Sequence, residues 1–186
     1  MKTPQRPART SGRPCSRGLT LVELLAGLAV MAVALGAVLL DFSRLMQRQR
    51  LEGAAAQLET ELQMARGEAI LRGQSVRFSF RADAAGTCYA IHTGGAQACR
   101  CNSTGAAPQC SGDAQLIRSV AHPAGDALRV TSNSASFLFD GSKGTVTPTA
   151  TLTLSNERGD ALQLIVSLMG RVRDCSPSGL RGHRPC

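Results

Sequence analysis

The apolar run from Leu19 to Leu40, interrupted only by Glu23, is the feature that most restricts how this chain folds. A helix of this length spans ~33 Å at ~1.5 Å per residue, enough to cross a hydrocarbon core of roughly 30 Å. Residues 1–17 carry basic side chains and no acidic one. This asymmetry predicts a cytoplasmic N-terminus and a translocated C-terminal part. An ordinary signal anchor fits these features but leaves Glu23 unexplained, because a carboxylate in lipid is costly.

A cleavable secretory signal is the main alternative for this segment. Such a signal has a shorter apolar region, followed by a cleavage site of small residues. Here Asp41, Phe42, Ser43 and Arg44 follow the run, which fits a cleavage site poorly.

The positive charge is concentrated at the N-terminal end. The net charge is +8, which suggests nucleic acid or anionic lipid as a partner. Five of the 21 basic residues lie in residues 1–17, and without them 16 basic residues face 13 acidic ones. The excess therefore belongs mostly to the tail. The chain has no Trp, one Tyr and five Phe, which predicts a modest, aliphatic core.

The cysteines predict disulfide bonds in an oxidising compartment. Of seven cysteines, Cys15 lies in the basic tail and the others form an even set. Sequence alone does not choose their pairing, although Cys175 with Cys186 is favoured because it would close a C-terminal loop. Their spacing matches no strong zinc pattern, so we expect no metal. The six disulfide candidates are Cys88, Cys99, Cys101, Cys110, Cys175 and Cys186.

An apolar stripe predicts that the helix continues beyond the apolar run, to about Arg72. Gly73 is a plausible stop. A coiled-coil seam is one interpretation of the stripe, but four heptads are not sustained, and packing onto a sheet is favoured. The stripe, spaced 4, 3, 4, 3 and 4 residues apart, is Leu51, Ala55, Leu58, Leu62, Ala65 and Ala69.

From Ser75 the apolar period changes from helical to two, which indicates strands. "SVRFSFR" alternates, residues 94–112 read as a disulfide-pinned loop, and "DALQLIVSLMG" is expected to be the longest strand. The predicted class is α+β. One long N-terminal helix, transmembrane in its first half, would pack on an antiparallel β-sheet domain.

The N-terminal motif "RGLTLVE" resembles the type IV prepilin processing site, with Leu19 where the family usually has Phe. The resemblance implies that a prepilin peptidase cuts between Gly18 and Leu19 and methylates Leu19. Thr20, Leu21 and Glu23 then begin an assembly helix, in which Glu23 meets the ammonium group of a neighbouring subunit. The predicted boundaries are a leader at 1–18, a transmembrane and assembly helix at 19–40, an amphipathic continuation at 41–73, and a periplasmic β domain at 74–186.

The segment 137–173 resembles the C-terminal half of FimT/GspH-type minor pilins and pseudopilins. This resemblance implies a pilin-like fold and a non-enzymatic subunit of a type II secretion pseudopilus or a type IV pilus. It also implies inner-membrane localisation and partnership with prepilin peptidase and other pilins, with no cofactor. The residues that match are Phe137, Gly141, Thr147, Pro148, Gly159, Gly170 and Arg171.

The motif "GRVR" suggests an alternative function, which is DNA binding. Arg171 and Arg173 would share one face of an extended strand, with Arg181 and Arg184 nearby in sequence. Aligned guanidinium groups bind phosphates without reading bases. In FimT-like pilins, a Gly-Arg-x-Arg motif is associated with binding incoming DNA. The plainer interpretation is a solvated strand end, with Arg173 paired to Asp174.

The histidines do not indicate an enzyme. His92, His122 and His183 are isolated in the sequence, and neither a nucleophile constellation nor a pair of carboxylates accompanies them. We therefore expect no catalytic activity.

We expect the mature protein to begin at a methylated Leu19. Mass spectrometry of protein purified from cells that contain the peptidase should give the mass of residues 19–186 plus one methyl group. An intact leader in those cells would contradict the motif's assignment.

Overall fold

The computed structural model describes residues 20–186, apart from the side chains of residues 37–41. The chain divides into two compact units, with the boundary after Phe42. Helix α1, Leu21–Arg72, continues through this boundary.

Over the residues described here, no helix combines the length and the apolarity that crossing a membrane requires.

The C-terminal end of α1 is closed by backbone hydrogen bonds around Gly73. The Gly73 amide donates to the Ile70 carbonyl at 3.2 Å, and the Gln74 amide donates to the Ala69 carbonyl at 3.1 Å. This pair of bonds is the Schellman motif, which needs a residue in the left-handed region. Gly73 supplies it with a φ of 60°. The predicted stop at Gly73 is confirmed.

Short strands follow the helix, as the change of period predicts. The strands in the described part of the chain are β1 Val76–Asp83, β2 Gly86–Thr93, β3 Cys99–Arg100, β4 Gln109–Cys110, β5 Leu116–Pro123, β6 Leu128–Ser132, β7 Ser136–Phe139, β8 Val146–Thr147, β9 Ala150–Asn156, β10 Ala161–Val166 and β11 Val172–Cys175.

These strands form two main antiparallel sheets and a small ribbon. The first sheet has the order β5-β2-β1-β7-β8, and the second has the order β11-β10-β9-β6. β3 and β4 pair with each other inside the cysteine-rich loop. In the first sheet β1 is central, since Val76 lies opposite Thr93 of β2 on one side and Phe139 of β7 on the other.

The helix stripe lies in the core with both sheets. All six stripe residues are buried, with Leu58 and Leu62 at 1 % and 0 % exposure. They belong to one apolar cluster with Phe78 of the first sheet and Leu152 of the second. Burying a leucine or phenylalanine contributes ~1.5–3 kcal/mol. The prediction that the stripe packs on a sheet is confirmed, and so is the α+β class.

The prediction of a longest strand at 160–170 is wrong, because β10 ends at Val166. After it, the Gly170 amide donates to the Ser167 carbonyl at 2.8 Å, and the Ser167 hydroxyl donates to the Arg171 carbonyl at 3.1 Å. Gly170 has a φ of 72°, which favours glycine. A tight turn therefore replaces the last residues of the apolar alternation.

Gly141 marks a close approach between the loop after β7 and the end of α1. A Cβ atom at this position would lie 2.5 Å from the Gln74 nitrogen and 2.7 Å from the Gly73 carbonyl carbon. Both contacts are to backbone, which cannot rotate away as a flexible side chain would. A side chain at position 141 would therefore collide with the backbone at the end of α1.

We expect Gly141→Ala to lower the free energy of unfolding by ~1–3 kcal/mol, as overpacking usually does. Urea unfolding followed by circular dichroism measures the loss. Gly95→Ala is the matched control, since a Cβ atom there meets nothing within 4 Å. Equal stability of the two variants would refute the steric argument.

Candidate functional site

The predicted assembly residues form the first turn of α1. Thr20 caps the helix, because its hydroxyl oxygen accepts a hydrogen bond from the Glu23 amide at 3.3 Å and its carbonyl accepts one from the Leu24 amide at 3.1 Å. A Thr followed three residues later by Glu is the sequence of a capping box. The Glu23 carboxylate also lies at the N-terminal end of the helix, which is the positive end of the helix dipole. The structure thus gives the Thr and the Glu of the motif a local role that the sequence analysis missed.

The N-terminal part of α1 presents apolar side chains outward all round. Leu21 is 77 % exposed and Val33 is 76 % exposed. A single chain gains no burial from them, so they are available to lipid or to other helices. The other large apolar residues exposed in this stretch are Val22, Leu24, Leu25, Leu28, Val30, Met31 and Leu35.

The predicted cleavage site lies outside the described residues. Gly18 and Leu19 precede Thr20, where the description begins. Cleavage between them and methylation at Leu19 therefore stay predictions.

Two of the four arginines predicted to bind DNA, Arg171 and Arg181, lie at separate places along α1. Arg171 lines a groove with Gly67, whereas the Arg181 carbonyl accepts a hydrogen bond from the Arg48 guanidinium. Positions 48 and 67 are about 28 Å apart along a helix at ~1.5 Å per residue. Arg173 and Arg184 are exposed, and Arg173 lies opposite Ile165 of β10. This separation does not support the DNA-binding alternative.

Gly170, the glycine of the "GRVR" motif, has a packing role. The Arg66 Nε donates to the Gly144 carbonyl at 3.0 Å. A Cβ atom on Gly170 would lie 2.6 Å from that Nε and 2.5 Å from the Gly144 oxygen. Gly170 therefore leaves room for Arg66 to join the helix to two turns, and this role requires no ligand.

Asp174 does not pair with Arg173, as the plainer interpretation expected. The His183 Nδ1 donates to the Asp174 carboxylate at 2.8 Å. This hydrogen bond is the main reason why the pKa of Asp174 lies below its usual value. The other ring nitrogen of His183 lies 3.8 Å from Glu52 of α1. The imidazole of His183 thus lies between β11 and the helix.

All six predicted cysteines form disulfides. The structure pairs Cys175 with Cys186, the pairing that the sequence favoured. In the cysteine-rich loop the bonds are interlaced rather than nested, and join residues 88 to 101 and 99 to 110. Sequence could not select these pairs, because the competing loops have similar lengths and similar closure entropies.

A buried carboxylate joins α1 to the first sheet. Glu61 is 6 % exposed and accepts hydrogen bonds from the Tyr89 hydroxyl at 2.7 Å, the Arg118 Nε at 3.0 Å and the Gln57 amide at 3.0 Å. Burial first, and then the carboxylate, raise the pKa of Tyr89 far above its usual value. The sequence analysis did not single out Glu61. Its position directly before Leu62 of the stripe was the only available signal.

The histidines each have a structural partner. His92 is buried, with Nε2 2.8 Å from the Ser79 hydroxyl and Nδ1 2.9 Å from the Thr93 carbonyl, and burial lowers its pKa. His122 lies 3.3 Å from Asp126. Within residues 20–186, no three His, Cys, Asp or Glu side chains are grouped to hold a metal ion.

Comparison with known proteins gives two family matches. The type II transport protein GspH model matches residues 54–170, which is more than half of the chain. The prokaryotic N-terminal methylation motif matches residues 13–39. No curated protein sequence is significantly similar to the chain.

Solved structures with a related arrangement are minor pilins and a pseudopilin. The type IV minor pilin FimU of Pseudomonas aeruginosa, in space group P21, has a TM-score of 0.46 and 21 % identity, over 68 % of this chain and 88 % of FimU. The minor pseudopilin EpsH from the type 2 secretion system of Vibrio cholerae has a TM-score of 0.46 and 17 % identity, over 69 % of this chain and 98 % of EpsH.

A capped, apolar N-terminal helix that continues into a helix packed on antiparallel sheets defines a pilin-like filament subunit, here a minor pilin or pseudopilin. Within that class, the chain belongs to the GspH family.

We expect Tyr89 and Glu61 to be energetically coupled. Tyr89→Phe removes a buried donor and should cost ~1–3 kcal/mol of unfolding free energy. In a double-mutant cycle with Glu61→Gln, measured by urea unfolding, the coupling should be ~0.5–3 kcal/mol. Thr60→Ala, which changes an exposed hydroxyl on the preceding residue, is the control. Strict additivity would show that the pair does not hold the helix to the sheet.

Proposed function

We propose that residues 19–40 anchor the mature chain in the bacterial inner membrane and that the β domain lies in the periplasm. The exposed apolar side chains of α1 support this topology. So does the basic segment before them, because basic flanks stay cytoplasmic. The membrane-anchored subunit would then be assembled into a pilus or pseudopilus.

Assembly follows from the processing that the N-terminal methylation motif implies. Prepilin peptidase would cut after Gly18 and leave an ammonium group on Leu19. The leader, with five basic residues and Cys15, would be lost. Residues 19–40 would then pack against the same segments of other pilins, which the small side chains of Gly27 and Gly36 favour.

The observation that carries this proposal is Glu23, the carboxylate in the first turn of an otherwise apolar, outward-facing helix. An unpaired carboxylate and an unpaired ammonium group are both costly in lipid. Pairing Glu23 with the N-terminal ammonium group of a neighbouring subunit lowers both costs. The Thr20 cap keeps the first turn of the helix folded, so the Glu23 carboxylate projects from a fixed turn.

The same subunit would serve protein secretion or pilus assembly. The family description names type II transport, and the related solved structures include a type IV minor pilin. Deleting the gene separates the two uses. Loss of exoprotein export indicates a pseudopilus, and loss of piliation or twitching indicates a pilus.

Glu23→Gln tests the assembly mechanism. The variant should be processed and methylated at Leu19 but be depleted roughly tenfold or more from sheared filaments, since an unpaired charge in lipid costs roughly 2.5–3.5 kcal/mol. Quantitative mass spectrometry of membrane and filament fractions measures both properties.

Glu59→Gln is the matched control, because this glutamate lies on the same helix and hydrogen bonds only to Gln63 among the contacts described. It should enter filaments normally. Normal incorporation of Glu23→Gln would refute the pairing, and an unprocessed wild-type chain would refute the pilin assignment itself.

A further inference from the structure

Arginines gather where α1 leaves the apolar segment. The Arg158 guanidinium, in the turn between β9 and β10, donates to the Ser43 hydroxyl at 3.4 Å. The Arg48 guanidinium donates to the carbonyl of Arg181 in the C-terminal loop. Two distant stretches of sequence thus meet residues 43–48 of the helix. We call the exposed side chains there, those of Arg50, Arg158, Arg181 and Arg184, the basic surface.

Most acidic side chains near the basic surface are already engaged. Glu52 accepts from Arg48 at 2.8 Å, and Asp174 accepts from His183 at 2.8 Å. Asp160 accepts from the Asn156 amide at 2.8 Å. Asp126, which shares a groove with Arg50, lies 3.3 Å from His122. Among the contacts of the described residues, none of these four guanidinium groups lies in a salt bridge, although Glu157 is exposed beside Arg158.

The number of residues between Leu40 and Ser43 limits how far Ser43, and the arginine bonded to it, can lie from the end of the apolar segment. Ser43 is three residues beyond Leu40 and so lies at most ~11 Å from it, whatever the backbone conformation. The Debye length at physiological salt is about 8 Å. If Leu40 ends the anchor, Ser43 and the Arg158 guanidinium that bonds to it are tethered within roughly one Debye length of the lipid headgroups. Cations just beyond the translocated end of an anchor are unusual under the positive-inside rule, which calls for a reason.

We propose that the basic surface binds the phosphate groups of anionic phospholipids in the leaflet from which the chain emerges. This inference rests on the proposed function, because it needs residues 19–40 to be inserted. A guanidinium group is a planar fork that matches phosphate oxygens, and it keeps its charge at any physiological pH. Several such groups near one anionic surface add their attractions.

Lipid is favoured over nucleic acid because the anchor supplies the lipid at a fixed, short distance. DNA would have to arrive by diffusion. Bound lipid would hold the unassembled subunit against the membrane. The subunit must break these contacts when it is drawn into a filament.

Hydrogen exchange of the full mature chain in nanodiscs tests the proposal. One set of discs is phosphatidylcholine and the other is an equimolar mixture with phosphatidylglycerol. Amides of residues 156–160 and 176–184 should exchange about fivefold or more slowly in the anionic discs, the factor expected for one arginine at an anionic surface. The difference should disappear in 1 M salt, where the Debye length is about 3 Å.

The variant Arg158→Gln/Arg181→Gln/Arg184→Gln should lose the difference. Arg100→Gln/Lys143→Gln/Arg171→Gln removes three exposed cations elsewhere on the domain and should keep it. Thermal unfolding of both variants in neutral discs separates misfolding from lost binding. Equal exchange in both lipids, or loss of protection in both variants, would overturn the proposal.

Two further experiments identify the ligand and distinguish a failure of the anchor from a failure of the basic surface. Inorganic phosphate or duplex DNA is added to the protein in neutral discs. Equal protection from either would overturn the assignment to lipid. Vesicle flotation tests the anchor separately. A chain that does not float with any vesicle contradicts the proposed topology, whereas one that floats without lipid-dependent protection contradicts only the basic surface.

Discussion

Burial of one stripe of α1 against two sheets is the interaction on which the folded domain depends. The stripe residues from Leu51 to Ala69 lie in one apolar cluster with residues of both sheets, so both halves of the core share them. The stripe leaves the opposite face of α1 polar, and that face carries ion pairs such as Arg72 with Glu68.

Much of this arrangement could be predicted from the sequence, because periodicity survives in a single chain. The 4-3-4-3-4 spacing predicted the buried face, and the alternation around Phe78 predicted a strand. The end of β10 could not be predicted in this way. Its apolar residues continue to Met169, whereas the turn is visible only in the folded chain, from the hydrogen bonds of Ser167 with Gly170 and Arg171.

The functional residues likewise divide into those recognisable from local sequence and those that depend on tertiary contacts. Thr20 and Glu23 are recognisable in the sequence as part of the processing motif, although the sequence analysis missed their capping role. Glu61 is not recognisable, since its partners Tyr89 and Arg118 come from other strands. The arginines near the C-terminus look like one cluster in the sequence, but the fold places Arg171 and Arg181 at separate places along α1. Charge counted along a chain says little about charge on a surface.

The interlaced disulfides of the cysteine-rich loop have a consequence for durability outside the cytoplasm. Every peptide bond between Cys88 and Cys110 lies inside at least one disulfide loop, and Arg100 lies inside both. Arg100 is exposed and would be a ready site for a trypsin-like protease. A nick there would leave the two pieces joined by two covalent bonds. A cut after Arg100 would thus release no part of the chain.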